Sequence, residues 1–192
     1  MRRILPLLLL AAVMAGCIHS RHEVVSAEQA TLPDGVVGGV YLFFHRGEKA
    51  DDIRVVQAEG TSEYDVLDAD GEVEMVMRFS PLASNIYLVQ MHEAESTDLY
   101  VVHSSGDGVI AAIPWDRKKC MKILKDSGIA FSESILIDND LEKIGKGLLA
   151  WSDAAKGDPV DWFYLSESAY RGKTDAELQE LLRERRLWPG NR

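Results

Sequence analysis

Between Gly35 and Trp115 the chain alternates short apolar runs with clusters of Gly, Asp and other turn formers. The runs 36–45, 53–58, 63–67, 73–79, 85–92, 98–103 and 109–114 each have the length of a strand. Arg46-Gly47, Glu59-Gly60, Asp70-Gly71 and Gly106-Asp107-Gly108 punctuate them. Asp70-Gly71 is the strongest hairpin signal, because a tight primed turn needs residues that accept positive φ. Val73, Met75, Met77 and Phe79 recur at every second position, with Glu72, Glu74 and Arg78 on the other face. That spacing describes a strand with one side in a core and one in water. Seven such strands at intervals of about ten residues predict an antiparallel meander, folded as a sandwich or closed into a barrel.

After Trp115 the period lengthens. Asp116 can cap a helix over 117–126, ended by Gly128, with Cys120, Ile123 and Leu124 on one face. Residues 129–137 contain a further strand. Asn139 and Glu142 have capping-box spacing and open a helix to about 155, in which Gly145 and Gly147 cost about 1 kcal/mol each relative to Ala. The stretch 159–166, with Trp162, Phe163 and Tyr164, reads as a strand or loop against the core. Thr174-Asp175-Ala176-Glu177 is a second capping box, opening a helix to about 187. The predicted fold class is α+β: an antiparallel β-meander, sandwich or barrel-like, over 35–115, followed by a mainly helical 116–192.

The first residues follow a different logic. Arg2 and Arg3 are followed by an apolar run over 4–15, broken only by Pro6, and then by the small residues Ala15 and Gly16 before Cys17. Charge, apolar run and small-residue cleavage site are the three parts of a secretory signal peptide. The run is shorter than the roughly 20 residues of a membrane-spanning helix. Met14-Ala15-Gly16-Cys17 resembles the lipobox of bacterial lipoproteins, although that family more often has Leu where Met14 stands. The resemblance implies cleavage between Gly16 and Cys17, diacylglycerol on the Cys17 thiol, and a mature protein held to a membrane of the cell envelope. Ile18, where the family's inner-membrane members tend to have Asp, implies the outer membrane, facing the periplasm. Residues 17–34 then read as the lipidated Cys and a flexible tether, letting the body stand off the headgroups by roughly 20–25 Å.

Composition narrows the partners. The chain has 192 residues, 46% of them hydrophobic, enough for one domain with a real core over 35–192. The net charge is −10, and removal of residues 1–16 with Arg2 and Arg3 takes it to about −12. That balance argues against nucleic acid, whose binding depends on Lys and Arg displacing counterions. It argues also against the protein surface lying flat on anionic lipid. With Cys17 lipidated, Cys120 is alone and no disulfide framework exists.

Candidate chemistry is sparse. Cys120 lies among Arg117, Lys118, Lys119 and Lys122, which can lower a thiol pKa, but it also lies on an apolar stripe where an unpaired Cys is expected to be buried. His92 and His103 fall on adjacent predicted strands, with His45 the only third histidine of the domain, and zinc would need further ligands. Asp138-Asn139-Asp140-x-Glu142 fails the calcium-loop pattern, since position 6 is Lys143 and position 12 is Leu149. Neither Ser104-Ser105-Gly106-Asp107-Gly108 nor Gly145-Lys146-Gly147 completes a phosphate loop, and no nucleophile elbow is present. Tyr41, Phe43, Phe44, Tyr64, Tyr87 and Tyr100 can line a barrel cavity or fill a plain core. Arg183, Arg185 and Arg186 with Trp188 form a basic patch at a helix end.

These readings predict a lipid-anchored envelope protein with no metal, no cofactor and no catalytic residues. Its expected role is non-enzymatic: binding or scaffolding another envelope protein. The alternative is a carrier that holds a small apolar ligand inside a barrel; a third reading is an enzyme whose active site is assembled from residues distant in the sequence.

Overall fold

In a computed structural model, residues 18–93, 96–114, 116–133 and 135–189 are described. Cys17 and the signal-like segment lie outside them. The strands are β1 (Ile18–Ser20), β2 (Gly39–His45), β3 (Glu48–Gln57), β4 (Glu63–Leu67), β5 (Val73–Ala83), β6 (Ile86–His92), β7 (Thr97–Ser104), β8 (Val109–Ala112), β9 (Phe131–Ser132), β10 (Ile135–Leu136) and β11 (Trp162–Ser166). The helices are α1 (Arg117–Asp126), α2 (Leu141–Ala154), α3 (Glu167–Tyr170) and α4 (Asp175–Glu184).

The strands β2 to β8 pair in chain order, all antiparallel, and β11 closes the ring between β8 and β2. The result is a closed eight-stranded β-barrel. The division into a β-meander before 116 and helices after it is therefore corrected: the eighth wall strand comes from beyond α1 and α2. It fits there because Trp162, Phe163, Tyr164 and Leu165 offer apolar groups to both faces, as a strand with an interior on one side and helices on the other requires.

Two cores follow from this. One fills the barrel and contains Tyr41, Val55, Tyr64, Val66, Met75, Met77, Phe79, Val89, Val102 and Ile110. The other lies outside the wall, where Leu88, Val101, Ala111, Phe163 and Leu165 meet Leu124, Leu148, Trp151 and Trp188. Each fully buried Leu or Val there contributes about 1.5–3 kcal/mol. The helix starts are set locally. Asp116 accepts from the Lys119 amide, Asp140 from the Lys143 amide, and Thr174 forms a complete capping box with Glu177. The cap of α2 is Asp140, one residue past the expected Asn139. Gly147 is explained by packing: a Cβ there would stand 2.5 Å from Ile129 Cδ1 and 3.2 Å from Leu124 Cδ2.

The largest difference from expectation concerns 18–34. These residues are part of the folded body. Ile18 pairs with Leu99 on β7, and Ile18, Val24 and Val25 are 3%, 4% and 0% exposed. The Gln90 carboxamide oxygen accepts from the Val24 and Val25 amides at 2.6 and 2.9 Å, and its nitrogen donates to the Val25 carbonyl at 3.1 Å. Arg78 adds a bond to the same carbonyl and an ion pair with Glu23. The polar look of 18–34 hid three apolar anchors, Val24, Val25 and Ala30, that seat the segment against the wall as a strap.

Candidate functional site

The strand register decides which side chains face the barrel interior. Tyr41 and Phe43 point inward from β2, Ile53 and Val55 from β3, Tyr87, Val89 and Met91 from β6, Tyr100 and Val102 from β7, and Tyr164 from β11. Five of the six aromatic residues singled out in the sequence thus line the interior. Phe44 does not: it faces the outer core, because it alternates with Phe43. Trp162 and Tyr164, from the closing strand, complete the set. Phe43 stacks on both, and Trp162 stacks on His45 with ring centroids 4.0 Å apart.

One end of the barrel is sealed. Residues 33–38 cross beneath it, placing Val36 in the inner core. The Tyr64 hydroxyl donates to the Val36 carbonyl at 3.0 Å, the Tyr41 hydroxyl to the Val37 carbonyl at 2.8 Å, and the Ser104 hydroxyl to the Asp34 carbonyl at 2.7 Å. Gly35 permits the crossing, since its φ is +76° and a Cβ would meet the Gly106 backbone at 2.7 Å. Burial pushes the Tyr64 hydroxyl up to about 12 and raises that of Tyr41. Tyr64, Phe79, Val89 and Val102 are all 5% exposed or less.

The other end differs. Ile53, Met91, Tyr100, Ala112 and Trp162 face the interior and remain partly accessible. Below them Tyr164 as a residue is partly accessible, while burial drives the pKa of its hydroxyl well above that of a free tyrosine. Polar groups mark the rim. Asp98 is almost wholly enclosed, and His19 Nδ1 lies 2.5 Å from its Oδ1. The Glu93 carboxyl is pushed up, first by burial and then by the charges of Asp98 and Glu74. Apolar and aromatic side chains thus reach the surface at this end, beside an acidic lip.

The remaining sequence candidates separate. Cys120 is fully buried between α1 and the outer core, and burial pushes its thiol up to about 12, the opposite of thiolate activation. His92 and His103 sit at opposite ends of their strands, opposite Thr97 and Ile86, and His103 stacks edge-on to Trp188. Among the described residues no group of three or more metal-type side chains comes together. Asp138 binds the Ala130 and Asp140 amides and the Lys143 ammonium, which hold its carboxyl below the usual range. That acidic run organises a helix start. The basic patch is dispersed: Arg183 pairs with Glu180, Arg185 with Asp107, and Trp188 is buried on Ser152. Arg186 rims an open groove of about 680 Å³ with Arg46 and Gln179, floored by Val160, Phe163 and Leu182. Gly16 and Cys17 lie outside the described residues. Among the described residues no helix is long and apolar enough to cross a membrane.

No family model, no curated protein and no solved structure matches this chain.

Proposed function

We propose that the chain is a lipid-anchored protein of the bacterial cell envelope whose barrel receives a small apolar or aromatic group at its open end, without catalysing a reaction on it. The observation that carries this reading is the contrast along the barrel interior: the side chains at its sealed end are buried, whereas Ile53, Met91, Tyr100 and Trp162 toward the other end keep accessible surface. Eight-stranded barrels have room for their own side chains or for one small ligand. Met and Tyr are suited to it. A thioether adapts its shape, and a tyrosine ring gives apolar area at low entropy cost. The lipid on Cys17, bound to the outer membrane and facing the periplasm, would keep this site at high local concentration near envelope components.

The test uses Trp162 and an environment-sensitive naphthylamine probe. The proposal predicts saturable probe binding, quenching of tryptophan emission, and loss of both in Tyr100→Glu with the barrel still folded by circular dichroism. Absence of saturable binding in the folded wild-type protein contradicts it.

A second reading, a scaffold for another envelope protein, is supported by the groove beside α4. It has an apolar floor, and at its edge Arg186 stands beside the Arg46–Asp161 and Arg183–Glu180 ion pairs. Crosslinking in intact cells distinguishes the two: Arg186→Glu should abolish a groove partner and leave probe binding unchanged.

A further inference from the structure

The strap changes what a lipid on Cys17 would do. Ile18 is locked into β1 and 3% exposed, and consecutive Cα atoms are about 3.8 Å apart. An anchor on the preceding residue would therefore have no free chain between it and the folded body. What lies beside Ile18 becomes decisive.

The register gives the answer. β1 and β8 share one edge of β7. Ile18 stands opposite Leu99, and the Ile113 amide, just past the end of β8, donates to the Val101 carbonyl at 2.9 Å. The start of the body and the exit of β8 are two β7 residues apart, or about 7 Å. Four residues after Ile113 comes α1, at most about 14 Å further on. This helix is the most cationic segment of the chain. Residues 116–126 hold Arg117, Lys118, Lys119, Lys122 and Lys125 against only Asp116 and Asp126, and the first turn has no acid. Cys120 and Leu124 face the core, so Lys118, Lys122 and Lys125, spaced i, i+4 and i+7, form one exposed stripe on the opposite side. Lys119 is held by Asp158 and Lys122 by Asp126, whereas Arg117, Lys118 and Lys125 form no ion pair among the described residues.

We infer that the exposed stripe of α1 is a membrane-docking surface that rests on anionic phospholipid headgroups beside the acyl chains of Cys17. The inference rests on the lipidation reading. Two or more acyl chains already give stable attachment, so the cations set the orientation of the body on the membrane. The overall acidity of the protein does not oppose this, because charges more than about 8–10 Å from the surface are screened at physiological salt. Each docked cation contributes about fivefold to the preference for an anionic over a zwitterionic surface.

The test uses the mature, lipidated protein reconstituted on phosphatidylcholine vesicles with and without phosphatidylglycerol. Lysine accessibility is read by amine acetylation and peptide mass spectrometry. Lys118, Lys122 and Lys125 should be protected at least about threefold on the anionic vesicles, with protection removed by high salt and Lys49 and Lys173 unchanged. A Lys118→Gln, Lys122→Gln, Lys125→Gln variant should still float with both vesicle types while Arg117 loses its protection from a dicarbonyl reagent. Equal labelling of α1 on both vesicles, in protein that floats with them, overturns the docking surface alone. Failure to float with phosphatidylcholine vesicles removes the anchor reading and this inference with it.

Discussion

Replacing Gln90 with Leu tests whether the strap is structural. Gln90 is fully buried, and its side chain satisfies two amides and one carbonyl of Val24 and Val25. Leu has a similar volume and none of those groups. The strap then has two options. It can stay in place with the Val24 and Val25 amides unsatisfied, at about 1–3 kcal/mol each, while the Val25 carbonyl keeps its bond from Arg78. Or it can lift off, rehydrate them, and give up the burial of Val24 and Val25, about 3–6 kcal/mol together. The cheaper route sets the loss, so the expected destabilisation is about 3–5 kcal/mol. For a body of this size each kcal/mol lowers Tm by about 2–4 °C, which places the expected drop at roughly 6–20 °C. Denaturant unfolding and native-state hydrogen exchange read the two parts separately. In the wild type the Val24 and Val25 amides should exchange with the slow core amides, and in Gln90→Leu they should exchange quickly. A change in stability below about 0.5 kcal/mol, together with rapid wild-type exchange at Val24 and Val25, refutes the reasoning and restores a free tether.

Three further outcomes follow from the same geometry. Gly147→Ala should destabilise despite the roughly 1 kcal/mol gain in helix propensity, because the added Cβ meets Ile129 and Leu124 and overpacking costs about 1–3 kcal/mol; a Tm above wild type refutes the packing role. Glu93 has a folded pKa raised above its unfolded value, so its ionisation opposes folding, and stability should fall as pH rises from the ordinary glutamate range through the folded pKa. Glu93→Gln should flatten that slope and be the more stable protein at neutral pH, as urea titrations at several pH values will show. Cys120 should react with iodoacetamide only upon unfolding; stoichiometric labelling of the native protein within minutes contradicts its burial.

What the sequence revealed was local. The caps Asp116 and Thr174, the strand Glu63–Leu67 and the alternation of Met75, Met77 and Phe79 were legible because each depends on residues a few positions apart. Barrel closure was not, because β11 is separated from β8 by two helices and a small hairpin, and only its ladders with β8 and β2 show that it belongs to the wall. The strap was misread for a related reason. Its polar composition over 19–23 matches a linker, and its burial depends on Gln90, more than sixty residues away. The candidate site was half legible: Tyr41, Phe43, Tyr64, Tyr87 and Tyr100 were visible as an aromatic set, but which end of the barrel they leave accessible depends on residues 33–38 sealing the other.

The chemical state of Cys17 decides whether the protein is lipid-anchored. Intact-mass and N-terminal peptide mass spectrometry of the protein extracted from its native membranes measures it directly. The expected result is a mature chain beginning at Cys17, with the mass of a diacylglyceryl thioether on its sulfur. A chain that begins elsewhere, or at Cys17 with an unmodified thiol, would contradict it.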